Sequence, residues 1–106
     1  MEDKKNIDLL LTFQGKSVAV ETNPYNTIER FIEETKKQAK ENPDKLFNMP
    51  ELDKGDNPLH YRLTRVKNGK NEILKSKNKQ NENQTLDDYG VKDGDELIIV
   101  VIPKAG

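Results

Sequence analysis

The sequence contains no cysteine and no tryptophan, and it has a single histidine, His60. Without cysteine the chain can form no disulfide bond and has no thiolate for catalysis or metal binding. One histidine with no second histidine beside it argues against a metal site and against histidine-based catalysis. Because the sequence also lacks a phosphate-binding loop and a catalytic cluster of side chains, we expect a protein that is not an enzyme and that binds no cofactor or metal.

The sequence also lacks an excess of charge of either sign and any long apolar run. The 106 residues include 18 Lys or Arg and 19 Asp or Glu, which are mixed along the chain and leave a net charge of -1. This balance provides no single-sign field for nucleic acid. No apolar run approaches the roughly 20 residues that span a bilayer, and residues 1–6 lack the apolar core of a signal peptide. We therefore expect a cytoplasmic protein that binds no nucleic acid and does not insert into a membrane.

The first half of the sequence contains short periodic segments of a size that suits one domain. Alternating aliphatic residues predict strands over residues 7–13 and 17–21, joined by a short turn. Thr27 is a candidate helix N-cap, because its hydroxyl can accept a hydrogen bond from the first turn. The apolar residues after Thr27 recur at helical spacing until Asn42 and Pro43 end the segment.

The second half alternates strands with polar connections. Residues 59–66 predict a strand, and residues 72–75 predict the return strand after a two-residue hairpin turn at Asn68 and Gly69. The remaining segments are an irregular connection, a mobile polar loop, a short helical turn and a final aliphatic strand, at residues 44–58, 77–84, 85–89 and 97–102 respectively.

A single helix can cover only one face of the sheet that these strands form. The segment at residues 97–102 is rich in aliphatic residues and has no strand breaker, so we expect it in the middle of the sheet. It would pair parallel with the first strand, through a right-handed crossover. The apolar residues in the connection at residues 44–58 have two interpretations: they cover an edge of the core, or they form a binding loop.

Four short motifs resemble those of the ubiquitin-like family, and they occur in the same order. They are Gly-Lys-Ser-Val-Ala-Val-Glu at residues 15–21, Pro-Tyr-Asn-Thr-Ile-Glu at residues 24–29, Arg-Leu at residues 62–63, and Thr-Leu-Asp-Asp-Tyr-Gly-Val at residues 85–91. The resemblance implies an α+β fold, the ubiquitin-like β-grasp. In this fold a mixed sheet of strand order 2-1-5-3, with a short strand 4, packs on one main helix.

The resemblance also implies the domain limits and the residues of the core. A disordered segment at residues 1–6 precedes the domain at residues 7–102, and a flexible tail at residues 103–106 follows it. Tyr89 corresponds to a buried tyrosine of the family, whose hydroxyl holds a nearby loop. The residues assigned to the helix side of the sheet, which periodicity also predicts almost completely, are Leu9, Leu11, Val18, Val20, Ile28, Phe31, Leu63, Leu86, Val91, Leu97, Ile99 and Val101.

The other face of the sheet is predicted to carry an apolar strip. Because strand side chains alternate, Ile98, Val100 and Ile102 point away from the helix, and Leu10 on the first strand faces the same way. Soluble monomers rarely leave such a strip unused, so it predicts a partner-binding surface. The alternatives are that the connection at residues 41–60, or a second copy of the chain, covers it.

Two polar residues, Arg62 and Thr64, are expected to border this strip. The resemblance supports the position, since ubiquitin binds most of its partners through an aliphatic patch on the same face. Val100 matches one member of that patch. Thr64 stands where ubiquitin has an isoleucine, which predicts a partner specific to this protein.

The last residues of the sequence suggest a second function. Ubiquitin is activated at the carboxylate of its terminal glycine, and Gly106 stands at that position. Ala105 replaces the glycine that precedes it in ubiquitin. Ile102 and Pro103 replace an arginine and a leucine, so conjugation is the less favoured hypothesis. If the chain were attached in this way, Ala105 and Gly106 would form the attachment site.

These observations give two hypotheses from different classes. The first is a non-catalytic ubiquitin-like module, a monomer or weak dimer, that resembles small bacterial ubiquitin-like proteins, including accessory components of secretion systems. The second is a ubiquitin-like modifier or sulfur carrier that an E1-like activating enzyme adenylates at the C-terminal glycine. In the first hypothesis the residues that contact the protein partner are Leu10, Arg62, Thr64, Ile98, Val100 and Ile102.

Overall fold

The computed structural model describes residues 6–52 and 54–103. Within these residues the chain forms a five-stranded sheet and one α-helix. None of the helices described there is long and apolar enough to cross a bilayer. The elements are β1 (Ile7–Phe13), β2 (Lys16–Thr22), α1 (Ile28–Glu41), β3 (Leu59–Lys67), β4 (Lys70–Leu74), a short 3-10 turn (Asp87–Tyr89) and β5 (Glu96–Pro103).

The strand order is β2-β1-β5-β3-β4, which confirms the predicted topology. The last strand, β5, lies in the centre, parallel to β1 and antiparallel to β3. Most strand limits differ by one or two residues from the sequence-based prediction, and two of these differences have a clear cause. β4 begins at Lys70 because pairing continues to Lys67 beside the turn. β5 continues through Pro103, which pairs with Leu59, so the strand includes the first residue of the predicted tail.

The two hairpins close through two-residue turns of the same kind. Gln14 and Gly15 have φ values of 50° and 83°, and Asn68 and Gly69 have values of 54° and 76°. Both residues of each turn are therefore in the left-handed region, which suits the right-handed twist of a tight hairpin and favours Asn-Gly pairs. The predicted attachment residues Ala105 and Gly106, and residues 1–5, lie outside the described residues.

Helix α1 begins and ends as its sequence predicts. The Thr27 hydroxyl accepts a hydrogen bond of 3.0 Å from the Arg30 amide, which satisfies one of the free N–H groups of the first turn. At the other end the Asn42 amide donates to the Gln38 carbonyl. The buried face of the helix packs on the sheet through Ile28, Phe31, Thr35 and Ala39.

The core lies between α1 and one face of the sheet, as predicted. Nine of the residues assigned to that side are buried, and Val18, Val20 and Val101 are partly buried against them. The irregular connection adds Leu46, Phe47 and Met49 to the same core. These three residues therefore cover an edge of the core, in agreement with the first of the two interpretations, whereas Leu52 is exposed.

An aromatic cluster fixes the connection to the sheet. The Phe47 ring meets the Phe13 ring edge to face, with 5.7 Å between centroids, and Tyr61 meets Phe13 in the same manner at 5.8 Å. The Tyr61 hydroxyl donates to the Pro50 carbonyl. Burial raises the pKa of Tyr61, and the nearby carboxylate of Glu51 raises it further.

Tyr89 holds a loop in the way that the resemblance implies. Its hydroxyl donates a hydrogen bond of 2.7 Å to the Lys75 carbonyl, at the residue where β4 has just ended. Burial raises the pKa of Tyr89, and the negative charges of Glu72 and Asp88 add to the increase. The loop that follows Lys75 is closed by backbone hydrogen bonds, including one from Gln84 to Ser76.

Candidate protein-binding surface

The face of the sheet opposite α1 carries the apolar strip that the sequence predicts. The strand register places Ile98 beside Thr12 of β1 and Thr64 of β3, and Val100 beside Arg62. Leu10 of β1 pairs with Glu96, which makes Leu10 the diagonal neighbour of Ile98 on the same face. Cross-strand and diagonal neighbours on one face are close enough for their side chains to touch, so the aliphatic residues form one continuous surface.

The strip is partly open to solvent. Leu10 is 40% exposed, and Ile98, Val100 and Ile102 are half-buried. Ile73 of β4, which is 42% exposed, lies on the same face because it pairs with Thr64. We call this group the open-face strip; its residues are Leu10, Ile73, Ile98, Val100 and Ile102.

Ile73 is a member of the strip that the sequence-based prediction lacks. The residue could have been found from the two-residue period of β4, since Leu74 beside it faces the core and is buried. The difficulty was the neighbouring Leu74, because two adjacent aliphatic residues in a short strand do not show which of them is buried.

The two polar residues predicted to border the strip have different positions. Thr64 is only 5% exposed, because it lies between Ile98 and Ile73 within the sheet, and it offers a partner little surface. Arg62 is half-buried beside Val100. Its Nε atom is buried and has no hydrogen-bond partner among the described residues.

The irregular connection does not hide the strip. Its buried side chains Leu46, Phe47 and Met49 are part of the core on the helix side, and Phe47 contacts Phe13 there. Leu52, further along the connection, is 49% exposed. In the described part of the chain, the residues of this connection therefore extend the core and leave the opposite face of the sheet open.

Charge is distributed unevenly along the strip. At the Leu10 end, Glu96 pairs with Leu10, and Asp8 and Glu21 pair with each other on the same face. Arg62 lies beside Val100 at the centre of the strip, and the neutral His60 pairs with Ile102 at the other end. An acidic end and a cation near the centre can orient a partner, because complementary charges favour one direction of docking.

Comparison with known proteins gives matches among solved structures alone. No protein-family model matches the chain, and no curated protein matches it. The N-terminal ubiquitin-like domain of the 4931431F19Rik protein has 16% sequence identity, covers 98% of this chain and 82% of its own, and has a TM-score of 0.57. The ubiquitin of Caldiarchaeum subterraneum has 19% identity, covers 96% of this chain and 100% of its own, and has a TM-score of 0.56.

A third similar structure is much longer. A chain of the MycP5-free ESX-5 inner membrane complex has 14% identity and a TM-score of 0.57, and the match covers 96% of this chain but 22% of that one. Our chain therefore spans about a fifth of that protein. At these identities the likeness concerns the fold, and the observed strand order and single helix agree with it. The chain has the α+β β-grasp fold of these ubiquitin-like structures.

Proposed function

We propose that this ubiquitin-like domain is a non-catalytic interaction module that binds a partner protein through the open-face strip. The observation that carries the proposal is the strip itself, which runs over β1 and β5 and continues beyond Thr64 of β3 to Ile73 of β4; Leu10 and Ile73 are each at least 40% exposed. A contiguous aliphatic surface of this kind, with polar residues at its rim, is typical of protein–protein contact sites.

The similar structures support a role as a module within a larger assembly. One is an N-terminal domain, another is the C-terminal ubiquitin-like domain of human p59 OASL, and a third belongs to an inner membrane complex. In this proposal the partner is a component of an assembly such as a bacterial secretion system, and the domain acts in the cytoplasm.

The experiment that tests the proposal compares substitutions inside and outside the strip. The partner is first identified by cross-linking of the wild-type protein, and its affinity is then measured with purified components by calorimetry. Val100→Asp places a charge in the centre of the strip and is expected to weaken binding by about tenfold or more, since central interface residues dominate the binding energy. Leu10→Asp, at a more exposed site, is a second variant with less risk to folding.

Ser17→Asp is the matched control, because Ser17 is exposed on the same face but lies on β2 outside the strip. It should bind the partner as the wild type does. Unchanged affinity of both Val100→Asp and Leu10→Asp would refute the proposal. Self-association that Val100→Asp abolishes would instead identify the occupant of the strip as a second copy of this chain.

A further inference from the structure

We propose that a notch at the free edge of β3 binds an acidic segment of the partner protein and that Arg62 is its carboxylate-binding residue. The inference rests on the proposed function in one respect, namely that the domain binds a protein. The notch has a volume of about 330 Å³. We call it the β3 notch and define it by the lining residues on which the argument depends: Arg62, Ile73, Lys75, Lys77 and Ile102.

The notch exists because β4 is shorter than β3. β4 pairs with β3 only from Leu63 to Lys67. At the start of β3 the Leu59 amide donates to the Glu51 carbonyl, but residues 60–62 have no paired strand on that side in the described part of the chain. Beyond Leu74 the chain turns away, and the hydrogen bond from the Tyr89 hydroxyl holds the Lys75 carbonyl in that position. An unpaired strand edge is a common docking place for an extended segment of another protein.

The charge of the notch is of one sign. Arg62, Lys75 and Lys77 line it, and no carboxylate is among its lining residues. Lys77 donates to the neutral side-chain amide of Asn83, so its charge is not neutralised by that contact. On the helix side, Glu29 and Glu33 line an adjacent cavity that Lys77 also lines.

The Glu33 carboxylate is already engaged in that adjacent cavity. Its oxygen lies 3.6 Å from the Lys36 ammonium. Arg62, in contrast, forms no ion pair within the described residues. Within the described residues none of the three cations of the β3 notch forms an ion pair, and Arg62 and Lys75 are separate from the cavity that Lys77 shares with Glu29, so the notch favours an anionic occupant.

The Arg62 side chain is the specific reason to expect that the bound group is a carboxylate. Its Nε atom is buried and lacks an acceptor among the described residues, and a buried donor without a partner is unfavourable. A guanidinium presents Nε and Nη donors in a planar fork that matches the two oxygens of a carboxylate. A bound Asp or Glu side chain would pair with the Nη donors and neutralise charge, and a rotation of the Arg62 side chain would let the buried Nε atom join the same contact.

The walls of the notch define the rest of the occupant. Ile73 and Ile102 line it and also belong to the open-face strip, so the two surfaces are continuous. An extended segment that alternates acidic and aliphatic residues suits this arrangement, because alternate side chains of a strand point to opposite sides. The expected partner therefore presents such a segment next to the surface that covers the strip.

The test uses the full chain, isotope-labelled for NMR, and a short synthetic peptide that alternates glutamate and valine. Binding should shift the Arg62 Nε–H signal and the amide signals of Ile73 and Ile102 in a saturable manner. A peptide with glutamine in place of glutamate should bind about tenfold more weakly, because charge-assisted hydrogen bonds are replaced by neutral ones. Arg62→Gln should weaken binding of the glutamate peptide by a similar factor.

Lys67→Gln is the control, since it removes the same charge from β3 at a position outside the notch lining. It should leave the peptide affinity nearly unchanged. Equal losses in Lys67→Gln and Arg62→Gln would overturn the proposal, as would tripolyphosphate binding more tightly than the peptide at the same residues. Signal shifts confined to Leu10, Ile98 and Val100, or no shifts at all, would also refute the proposal that the β3 notch binds an acidic segment. Those results would not decide the proposed function, which the separate Val100→Asp experiment tests.

Discussion

Arg65 donates two hydrogen bonds to one oxygen of Glu72, from Nη2 at 2.6 Å and from Nε at 3.1 Å. The Arg65 side chain is 6% exposed, although it belongs to a charged residue on the core-facing side of β3. Its other terminal nitrogen, Nη1, lies 3.9 Å from an Asp95 oxygen just before β5. One buried guanidinium therefore connects the edge strand β4, the strand β3 and the turn that leads to the central strand.

Removal of the Glu72 carboxylate should destabilise the fold. Glu72→Ala leaves the buried Arg65 charge with only the longer contact to Asp95. We expect a loss of about 2–3 kcal/mol in the free energy of unfolding, because an incompletely paired buried charge is costly. Urea denaturation followed by circular dichroism measures this difference.

The control for Glu72→Ala is Glu34→Ala on helix α1. Glu34 pairs with Arg30 at 3.2 Å, but both side chains are largely exposed, at 48% and 70%. Exposed pairs of this type contribute about 0.5 kcal/mol or less. Similar losses in the two variants would show that burial of Arg65 adds nothing to the strength of its ion pair.

The aromatic cluster is expected to fix the irregular connection. Phe47 is 2% exposed and packs on Phe13, so Phe47→Ala should reduce the free energy of unfolding by about 3 kcal/mol. The same variant should become sensitive to limited proteolysis within residues 43–58. Leu52→Ala, at a residue that is 49% exposed, should change stability little. If Phe47→Ala were as stable as Leu52→Ala, the connection would not be part of the core.

Stability should decrease in alkaline solution in a manner that depends on two tyrosines. Burial raises the pKa of Tyr61 and of Tyr89, so each folded-state pKa lies above the unfolded value. The folded state then holds these protons more tightly than the unfolded state. This stabilisation is complete below a pH of about 10, and it is lost as the pH rises through the folded-state values.

The measurement compares urea unfolding at about pH 8 and about pH 11 for the wild type and a variant that carries both Tyr61→Phe and Tyr89→Phe. The wild type and the variant carry the same lysines, so any effect of the lysines is common to the two. The wild type should lose more stability than the variant between the two conditions. An equal or smaller loss in the wild type would contradict the raised pKa values.

The interaction hypothesis predicts that residues 104–106 are dispensable for partner binding. A chain that ends at Pro103 should bind the partner with unchanged affinity, because the proposed contacts lie on the sheet. Incubation of the full chain with ATP and an E1-like activating enzyme should give no adduct at Gly106, as judged by mass spectrometry. An ATP-dependent adenylate or thioester at Gly106 would favour the alternative, a modifier or sulfur carrier.

The sequence predicts the topology well because the strongest signals are local and periodic. The aliphatic run at residues 97–102 lacks a polar face, which indicates a central strand, and Asn68 with Gly69 determines the second hairpin. The N-cap at Thr27 has an equally local cause, since its partner is three residues away. The aliphatic part of the candidate site follows from the same alternation, which places Leu10 and Val100 on the open face.

What the sequence cannot predict depends on contacts between distant segments. Burial of Arg65 is compatible with its charge only because Glu72 and Asp95 meet it from two other elements. Thr64 is predicted at the rim of the strip but is nearly buried, because β4 places Ile73 beside it. The free Nε atom of Arg62 and the notch around it depend on where β4 stops, and strand ends are weak signals in a sequence.

The central position of β5 has a consequence for how the molecule is made. β1 with β2, and β3 with β4, are neighbours in sequence and can form hairpins alone, but each pairs with β5 and not with the other hairpin. During synthesis the two halves of the sheet thus remain unpaired until the ribosome has released the segment at residues 96–103, and slow long-range pairing then completes the sheet. A synthetic copy of that segment should assemble with a truncated chain that lacks it, in the manner of a split protein.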